Sequence, residues 1–211
     1  MAFAFPVSLE VAGRRCVVFG TGPIAQARAI GLLEAGAHVT VIGRPHEAGD
    51  LAGVFLAVAA TGDATETARI FAEAEREGVL LNAVDDPAHC HFAVPAVLRR
   101  GDLTVTVSTG GRAPGYARRL RDELARTVGA EDGTLVDLIG DVRAELRAER
   151  TAPGGTGASP GATADFERWA ARWRDALDHD LIGLVRAGRT GEARTLLLAA
   201  LAEDDDKEAV A

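Results

Sequence analysis

The stretch that decides the fold spans residues 15 to 43 and reads RCVVFGTGPIAQARAIGLLEAGAHVTVIG. It contains two short apolar runs, Cys16–Phe19 and Val39–Ile42, which are typical of strands buried on both faces of a sheet. Between them, apolar residues recur at intervals of three and four positions, so we expect a helix with one apolar face. Gly36 then supplies a helix stop. The order strand, glycine turn, helix and strand predicts a βαβ crossover.

The turn after the first run has the pattern Gly-x-Gly-x-x-Ala. In such turns the first glycine permits a tight bend, the second lets a pyrophosphate approach the backbone, and the last position needs a small residue. The free N–H groups at the start of the following helix favour an anion. We therefore predict a dinucleotide site here, the alternative being a purely structural turn. Its residues are Gly20, Thr21, Gly22, Pro23, Ile24 and Ala25.

Composition excludes several classes of protein. The 211 residues, 47% of them hydrophobic, suffice for one nucleotide domain with a smaller appendage. A net charge of −8 argues against a nucleic-acid-binding or membrane-binding surface. Two cysteines outside any CxxC pair fit a reducing compartment. With neither a basic leader nor a run of about 18 apolar residues, we expect a cytoplasmic protein that does not enter membranes.

The predicted sheet departs from the usual pattern after its second strand. The next apolar run is Val54–Ala60, and the short stretch before it cannot hold the helix and strand of a complete mononucleotide-binding half. The acid that normally grips the ribose of NAD is also missing there. Arg44 takes its place, either as a ligand for the 2′-phosphate of NADP or as a solvated charge, and Glu47 is a third candidate. The choice between NAD and NADP stays open on these residues.

Two further strand ends carry candidate site residues. Thr61 follows the Val54–Ala60 run and is a candidate cofactor contact. A helix from Ala64 to Gly78 and another apolar run then lead to Asp85 and Asp86. Because ligands of open α/β sheets bind outside the carboxyl ends of the strands, we expect chemistry at this doublet. One of the two aspartates can instead cap the turn that follows.

A cluster of potential metal ligands follows directly. His89, Cys90 and His91 combine with the two nearby carboxylates to suggest a metal contact at His89 and His91. Adjacent side chains diverge, however, so only one or two of them can bind the same ion. The other interpretation is a helical turn with a buried Cys90.

The second half begins with a basic turn at residues 99–102. A strictly alternating strand, Leu103–Thr109, then runs into a second glycine-rich turn at residues 110–114, which is another candidate anion cradle. Helix is expected from Tyr116, carrying several arginines that either face an acidic ligand or are solvated.

The C-terminal part is predicted to be helical with one interruption. A helix is expected at residues 135–150, and residues 151–163, rich in Pro, Gly, Ser and Thr, are expected to form a flexible linker. A last pair of helices follows, the second after Gly191. Residues 203–208 are expected to form a solvated acidic tail.

Taken together, the motifs resemble the precorrin-2 dehydrogenase/sirohydrochlorin ferrochelatase module of siroheme synthases, along nearly the whole chain. The most specific carriers are the segments RRGDLT and VSTGGRAP, and the others are FGTGPIA, LLEAGA, AVAAT and NAVDDP. The resemblance implies an α/β fold. Its parts are a Rossmann-like NAD-binding domain (1–101), a dimerisation segment of one strand and helices (102–150), the linker (151–163) and a C-terminal helical segment with its tail (164–211).

The resemblance also implies a homodimer and two reactions, NAD-dependent oxidation of precorrin-2 and insertion of ferrous iron into sirohydrochlorin. In that family one aspartate, matching Asp85, serves both reactions. The tetrapyrrole substrate carries eight carboxylates, for which arginines are suitable partners. The implied substrate-binding residues are Ser108, Thr109, Gly110, Gly111, Arg112, Arg118 and Arg119.

Three departures from the family pattern keep other functions in view. The stretch after Gly43 is short, Ala113 replaces a serine, and histidines flank Cys90. One alternative is a diverged paralogue that acts only as a chelatase or metal-handling protein, or on another substrate in a specialised pathway. Another is a sensor that binds NAD(H) or a tetrapyrrole without catalysis.

Overall fold

A four-stranded parallel sheet dominates the N-terminal half of the computed structural model, which describes residues 5–151 and 163–208. Its strands follow the spatial order β2-β1-β3-β4. The described elements of this half are β1 (Arg15–Phe19), α1 (Pro23–Glu34), β2 (His38–Ile42), β3 (Leu56–Ala59), α2 (Ala64–Glu77), β4 (Leu80–Ala83) and a short 3-10 turn (Pro87–His89). The predicted βαβ unit and the α/β class are confirmed. No strand forms at residues 5–12.

Both faces of the sheet are buried at β1 and β3, as the continuous apolar run of β1 predicted. The same prediction was wrong for β2, where Val41 is 49% exposed because no further strand of the described chain covers this edge of the sheet. Val17 and Phe19 of β1 belong to one core cluster and Cys16 and Val18 to the other. Because successive side chains of a strand point to opposite faces, this division places one cluster on each side of the sheet. Helix α1 packs with the Cys16 face, and α2 packs with the Val17 face.

The chain passes from β2 to β3 without a helix or a strand, as the shortened stretch predicted. Residues 43–55 form turns, and Leu51 and Val54 from this loop are buried in the core cluster that contains Phe19. They replace part of the apolar contact that a missing element would otherwise provide.

The second half contains a hairpin and five helices. The described elements are β5 (Ala96–Arg100), β6 (Leu103–Val107), α3 (Pro114–Leu124), α4 (Ala130–Thr151), α5 (Thr163–Leu177), α6 (Leu181–Arg186) and α7 (Thr190–Glu208). Strands β5 and β6 pair with each other, and Gly101 and Asp102 form the turn between them. Val142, Leu181, Ala193 and Leu197 are at most 1% exposed and form the centre of the helical core.

Several boundaries differ from the sequence predictions. Arg99 and Arg100 were assigned to a turn but end β5, because the turn itself needs only the two residues after them. Three C-terminal helices form instead of two, since α6 lies between the expected pair. The backbone of the acidic run 203–208 continues α7. Most of the predicted linker, residues 152–162, lies outside the described residues.

Contacts divide the chain into two compact units. One contains residues 1–96 and 108–117, and the other contains residues 97–107 and 118–211. The glycine-rich turn at 110–114 thus groups with the parallel sheet, and the hairpin groups with the helices. Among the described residues, no helix is long and apolar enough to cross a membrane.

Candidate functional site

The glycine turn at the carboxyl end of β1 has the geometry of an anion cradle. Gly20 has φ 109°, and a Cβ atom there would lie 2.3 Å from the carbonyl oxygen of Ala60, so only glycine fits. Helix α1 begins directly after Gly22 with Pro23 in its first turn, and no side chain caps this end. The amides of the first helical turn are therefore open to an external acceptor.

Gly22 has no conformational reason to be glycine. Its φ of −69° suits any residue, and a Cβ atom placed on it would meet no protein atom within 4 Å. The space that a side chain would fill is open, as expected where a phosphate approaches the backbone. Ala25, at the last position of the motif, is 1% exposed and packs against the sheet, whereas Ile24 is 49% exposed.

Arg44 is held by an ion pair on the loop after β2. Its guanidinium donates to both carboxylate oxygens of Asp50, at 3.0 and 2.7 Å, and Glu47 lies 3.7 Å away. The hydrogen bonds from Arg44 hold the pKa of Asp50 below its usual value. Arg44 is thus neither a free phosphate ligand nor an isolated solvated charge.

Glu73 of α2 anchors the same loop, a role that the sequence analysis missed. It is 2% exposed, contacts the Nε2 atom of His46, and accepts a hydrogen bond from the N–H of Gly49 at 2.8 Å. The edge of the His46 ring packs on Phe19, with centroids 5.8 Å apart. Burial raises the pKa of Glu73, but the hydrogen bonds from His46 and Gly49 outweigh it and leave the pKa lowered.

Thr61 follows β3, as predicted, but its hydroxyl is used locally. It donates to the carbonyl of Asp63 at 3.2 Å and lies 3.1 Å from the hydroxyl of Thr67. Asp63 caps α2 by accepting hydrogen bonds from the first amides of the helix. Thr61 therefore helps to start α2, and its role as a cofactor contact stays a prediction.

Asp85 occupies the end of β4 in a strained conformation. Its φ is 61°, and it is the only residue other than glycine with positive φ in the described part of the chain. The residue is exposed, and its carboxylate has no hydrogen bond or ion pair to any described residue. A positive φ is uncommon in residues other than glycine, although aspartate adopts it more often than most, and such conformations cluster at functional sites. Here it presents an unengaged carboxylate where ligands of open sheets bind.

Asp86, by contrast, serves local structure. Its carboxylate lies 2.6 Å from the Nδ1 atom of His89, and its carbonyl accepts from the N–H of His89. The thiol of Cys90 donates to the carbonyl of Ala83 at 3.1 Å, and burial raises its pKa. Cys90 is therefore a protonated, structural thiol, in line with the second interpretation of this segment.

His91 is engaged on both ring nitrogens. Its Nδ1 atom accepts from the N–H of Leu81 at 2.9 Å, and its Nε2 atom contacts Glu75. The ring stacks on Phe71, whose edge also meets the ring of His89. No group of three or more metal-ligating side chains occurs within the described part of the chain. The metal contact at His89 and His91 stays a prediction without support from this arrangement.

The second glycine turn is pinned by its own hydroxyl groups. The Thr109 hydroxyl accepts from the N–H of Ala113 at 3.0 Å, and the Ser108 hydroxyl accepts from the N–H of Gly110 at 3.3 Å. Gly110 and Gly111 have φ of 60° and 80°, so consecutive amides follow a left-handed path that favours glycine. The turn enters α3 at Pro114, two residues before the predicted start.

The candidate arginines differ in their engagement. Arg112 is exposed on the sheet unit and has no ion-pair partner among the described side chains. Arg118 and Arg119 belong to the helical unit, where Arg119 pairs with Glu123 at 3.0 Å and Arg118 is exposed.

A parallel sheet with an open glycine turn at the end of β1 defines a dinucleotide-binding protein of the Rossmann class. A family model described as putative NAD(P)-binding matches residues 7–48 and 43–96, and a model of the sirohaem biosynthesis protein central region matches residues 100–127. The chain belongs to the family of the precorrin-2 dehydrogenase/sirohydrochlorin ferrochelatase modules of siroheme synthases.

Curated relatives agree with this assignment, and a solved structure shares the fold. The chain is 31% identical over 166 residues to a siroheme synthase of Photorhabdus laumondii, covering 69% of this chain and 35% of the relative. It is 32% identical over 215 residues to that of Methylococcus capsulatus, covering 92% and 43%. The chain thus spans less than half of these relatives. The structure titled SirC, precorrin-2 dehydrogenase, shares the fold with a TM-score of 0.59 at 19% identity, covering 92% of this chain and 99% of that one.

Proposed function

We propose that the protein oxidises precorrin-2 to sirohydrochlorin with NAD⁺. The observation that carries the proposal is Asp85, a strained and unengaged carboxylate at the carboxyl end of β4, in the same compact unit as the glycine turn after β1. The family assignment supplies the substrate, because the sirohaem biosynthesis model and the siroheme synthase relatives point to the same pathway. The other family model supports NAD(P) binding.

The cofactor would be held by the turn from Gly20 to Ala25. The open space beside Gly22 and the uncapped amides of α1 fit a pyrophosphate, and the polar backbone of Thr21 adds further groups. When bound, NAD⁺ accepts a hydride. The sheet unit fixes the turn rigidly, because β1 is hydrogen-bonded to strands on both sides.

The NAD form of the cofactor is favoured over NADP at the loop after β2. Asp50 neutralises Arg44, and the nearby Glu47 side chain is 70% exposed, so these three groups carry one net negative charge. A 2′-phosphate would be repelled there, whereas the ribose hydroxyls of NAD carry no charge.

Asp85 is assigned as the general base. Loss of a hydride from the substrate must be matched by loss of a proton, so that two electrons and two hydrogens leave together. The carboxylate accepts the proton, and its freedom from internal partners leaves both oxygens available. The same group suits insertion of ferrous iron, the second reaction that we infer, because pyrrole N–H protons must leave as the metal substrate enters.

The acidic substrate calls for cationic and amide partners. We infer that Arg112 and the turn formed by Ser108, Thr109, Gly110 and Gly111 bind substrate carboxylates, since the turn offers left-handed backbone amides and Arg112 is unpaired among the described side chains. Arg118 is a further candidate, and Arg119 would have to leave Glu123. A homodimer in the cytoplasm completes the proposal, and the two free thiols fit a reducing compartment.

The decisive experiment compares neighbouring aspartates. Asparagine tolerates the left-handed conformation, so Asp85→Asn removes the base without adding backbone strain. We expect turnover of precorrin-2, followed as NADH formation, to fall by about 10² to 10⁴. Asp86→Asn is the control, and it should retain activity within about tenfold because Asp86 serves the local turn. Equal losses in both variants, or an active Asp85→Asn, would refute the assignment.

A further inference from the structure

Strand β2 is an unguarded edge of the parallel sheet. Its only strand neighbour in the described chain is β1. The next unit of a complete mononucleotide-binding half would continue the sheet on this side, but the loop after Ile42 is too short to form it. The edge sequence, His38-Val39-Thr40-Val41-Ile42, contains no Lys, Asp, Glu or Pro. Natural sheets usually protect such edges with charges, proline or a covering element.

The hydrogen-bonding groups of this edge can be assigned from the pairing with β1. The N–H of His38 donates to Arg14, and the carbonyl of Ile42 accepts from Gly20, so His38 and Ile42 turn their backbone groups inward. Because the backbone N–H and C=O groups of alternate residues point to the same side of a strand, those of Thr40 also point toward β1. Val39 and Val41 then present two N–H and two C=O groups outward.

An apolar patch accompanies the free edge. Val41 is 49% exposed, and on α1 Ile30 and Leu33, three residues apart on one helix face, are 55% and 56% exposed. A right-handed crossover from β2 to a further strand on the same side would place its helix on the α1 face of the sheet. The shortened loop therefore uncovers a strand edge and the helix surface beside it together.

We propose that a second copy of this chain covers this edge by antiparallel pairing of the two β2 strands. A twofold axis at Thr40 would set Val39 of one copy opposite Val41 of the other, and these two pairs would use all four outward groups. His38 would meet Ile42, so no charged side chain would face its own copy. The strand is self-complementary in this register.

A second copy would cover both the β2 edge and the apolar patch on α1, whereas an isolated peptide strand would cover only the edge. With the axis perpendicular to the sheet, both copies of α1 lie on the same face, so their Ile30 and Leu33 side chains flank the paired strands. A bound peptide would satisfy the backbone groups and leave the helix patch exposed. This interface lies at the opposite edge of the sheet from β4, which leads to Asp85. It is additional to the dimerisation segment, residues 102–150, that the family resemblance implies.

Cysteine cross-linking tests the register. In the proposed pairing, Thr40 faces itself across a non-hydrogen-bonded pair, where Cα atoms lie about 4.5 Å apart, within disulfide reach. The matched control is His38→Cys, whose two copies would be separated by about 13 Å along the strands. Oxidised Thr40→Cys should give linked dimers roughly tenfold faster than His38→Cys, and the unmodified chain reports any linkage through Cys16 or Cys90. Equal or reversed rates would overturn the proposal.

Sedimentation of a charged-edge variant provides the second test. Val41→Lys adds a cation to the edge, whereas Leu177→Lys changes a residue of similar exposure, 45%, in the helical unit. We expect Val41→Lys alone to weaken self-association, by roughly tenfold in dissociation constant. If both variants sediment like the unmodified chain, a second copy does not cover β2, even where dimers persist through another surface.

Discussion

Two adjacent aspartates after β4, Asp85 and Asp86, have different roles although they are the same residue type. Asp86 has found its partners within the turn, at His89 and through its own backbone carbonyl. Asp85 has none among the described residues and holds an unfavourable backbone conformation. The unfavourable geometry is what presents its carboxylate to a ligand. The local sequence pattern could locate the doublet, because strand ends are local features, but only the family resemblance distinguished Asp85 from Asp86.

We infer that the carboxylate of Asp50 controls the preference for NAD over NADP. Asp50→Asn would release Arg44 from its bidentate pair and remove one negative charge from the loop. We expect the affinity for NADP to rise relative to NAD by about threefold to fivefold, since solvent weakens an ion pair between the half-exposed Arg44 and a phosphate. Displacement of NADH from the protein by NAD⁺ and, separately, by NADP⁺ measures the ratio of the two affinities.

The matched control for this experiment is Asp63→Asn, which changes an acid of the same unit that caps α2. It should leave the ratio of the two affinities unchanged, and it should change stability little because asparagine caps a helix about as well as aspartate. An Asp50→Asn variant with the wild-type ratio would mean that the loop after β2 does not meet the adenosine ribose.

Among the elements, helix α2 holds the shortened connection between β2 and β3 through two carboxylates: the buried Glu73, and Glu66, which contacts the N–H of His46. Glu73→Gln should destabilise the protein by about 3 kcal/mol, because it leaves His46 and the loop amide with a poorer acceptor in a buried position. Urea unfolding at neutral pH measures this change. Glu77→Gln, on the exposed side of the same helix, should change stability by less than about 0.5 kcal/mol.

The carboxylate of Glu73 also predicts a dependence on pH. The pKa of Glu73 is lower in the folded protein than its ordinary value, so its stabilising effect is complete above about pH 4.3 and is lost as the pH falls through the folded pKa. The stability difference between wild type and Glu73→Gln should therefore shrink in acid. A constant difference from neutral pH into that range would contradict the role of the charge.

Elements that depend on local signals were predictable, and those that depend on distant partners were not. The unit β1-α1-β2 could be predicted from adjacent residues, and so could the lack of a helix in the short stretch between β2 and β3. The pair His46 and Glu73 spans 27 positions and has no local signature. Strand β5 was missed because the consecutive basic residues Arg99 and Arg100 resemble a turn. In the structure the side chain of Arg100 donates to the carbonyls of Val128 and Ala125, just after α3, and these distant partners leave no local signal.

On the scale of the whole molecule, the two compact units divide the proposed tasks. The sheet unit contains the nucleotide turn, Asp85 and the second glycine turn, while helices α4 to α7 of the other unit form a separate core. The chain crosses between the units several times, so the sequence could not reveal this division as a set of consecutive domains. The family resemblance identified the chemistry, and the geometry around Asp85 and Gly22 gave it particular residues.

We infer that the sheet unit binds the cofactor although it lacks the helix and strand after β2. Titration with NADH, followed by its fluorescence, tests this claim on the full chain, with Gly22→Val as the matched variant. The open space beside Gly22 lets valine fold without a clash while filling the phosphate cradle. We predict micromolar binding by the unmodified protein and a loss of at least about 100-fold in the variant, or roughly 2.7 kcal/mol. No binding by the unmodified protein at millimolar NADH, or equal binding by both proteins, would contradict the account.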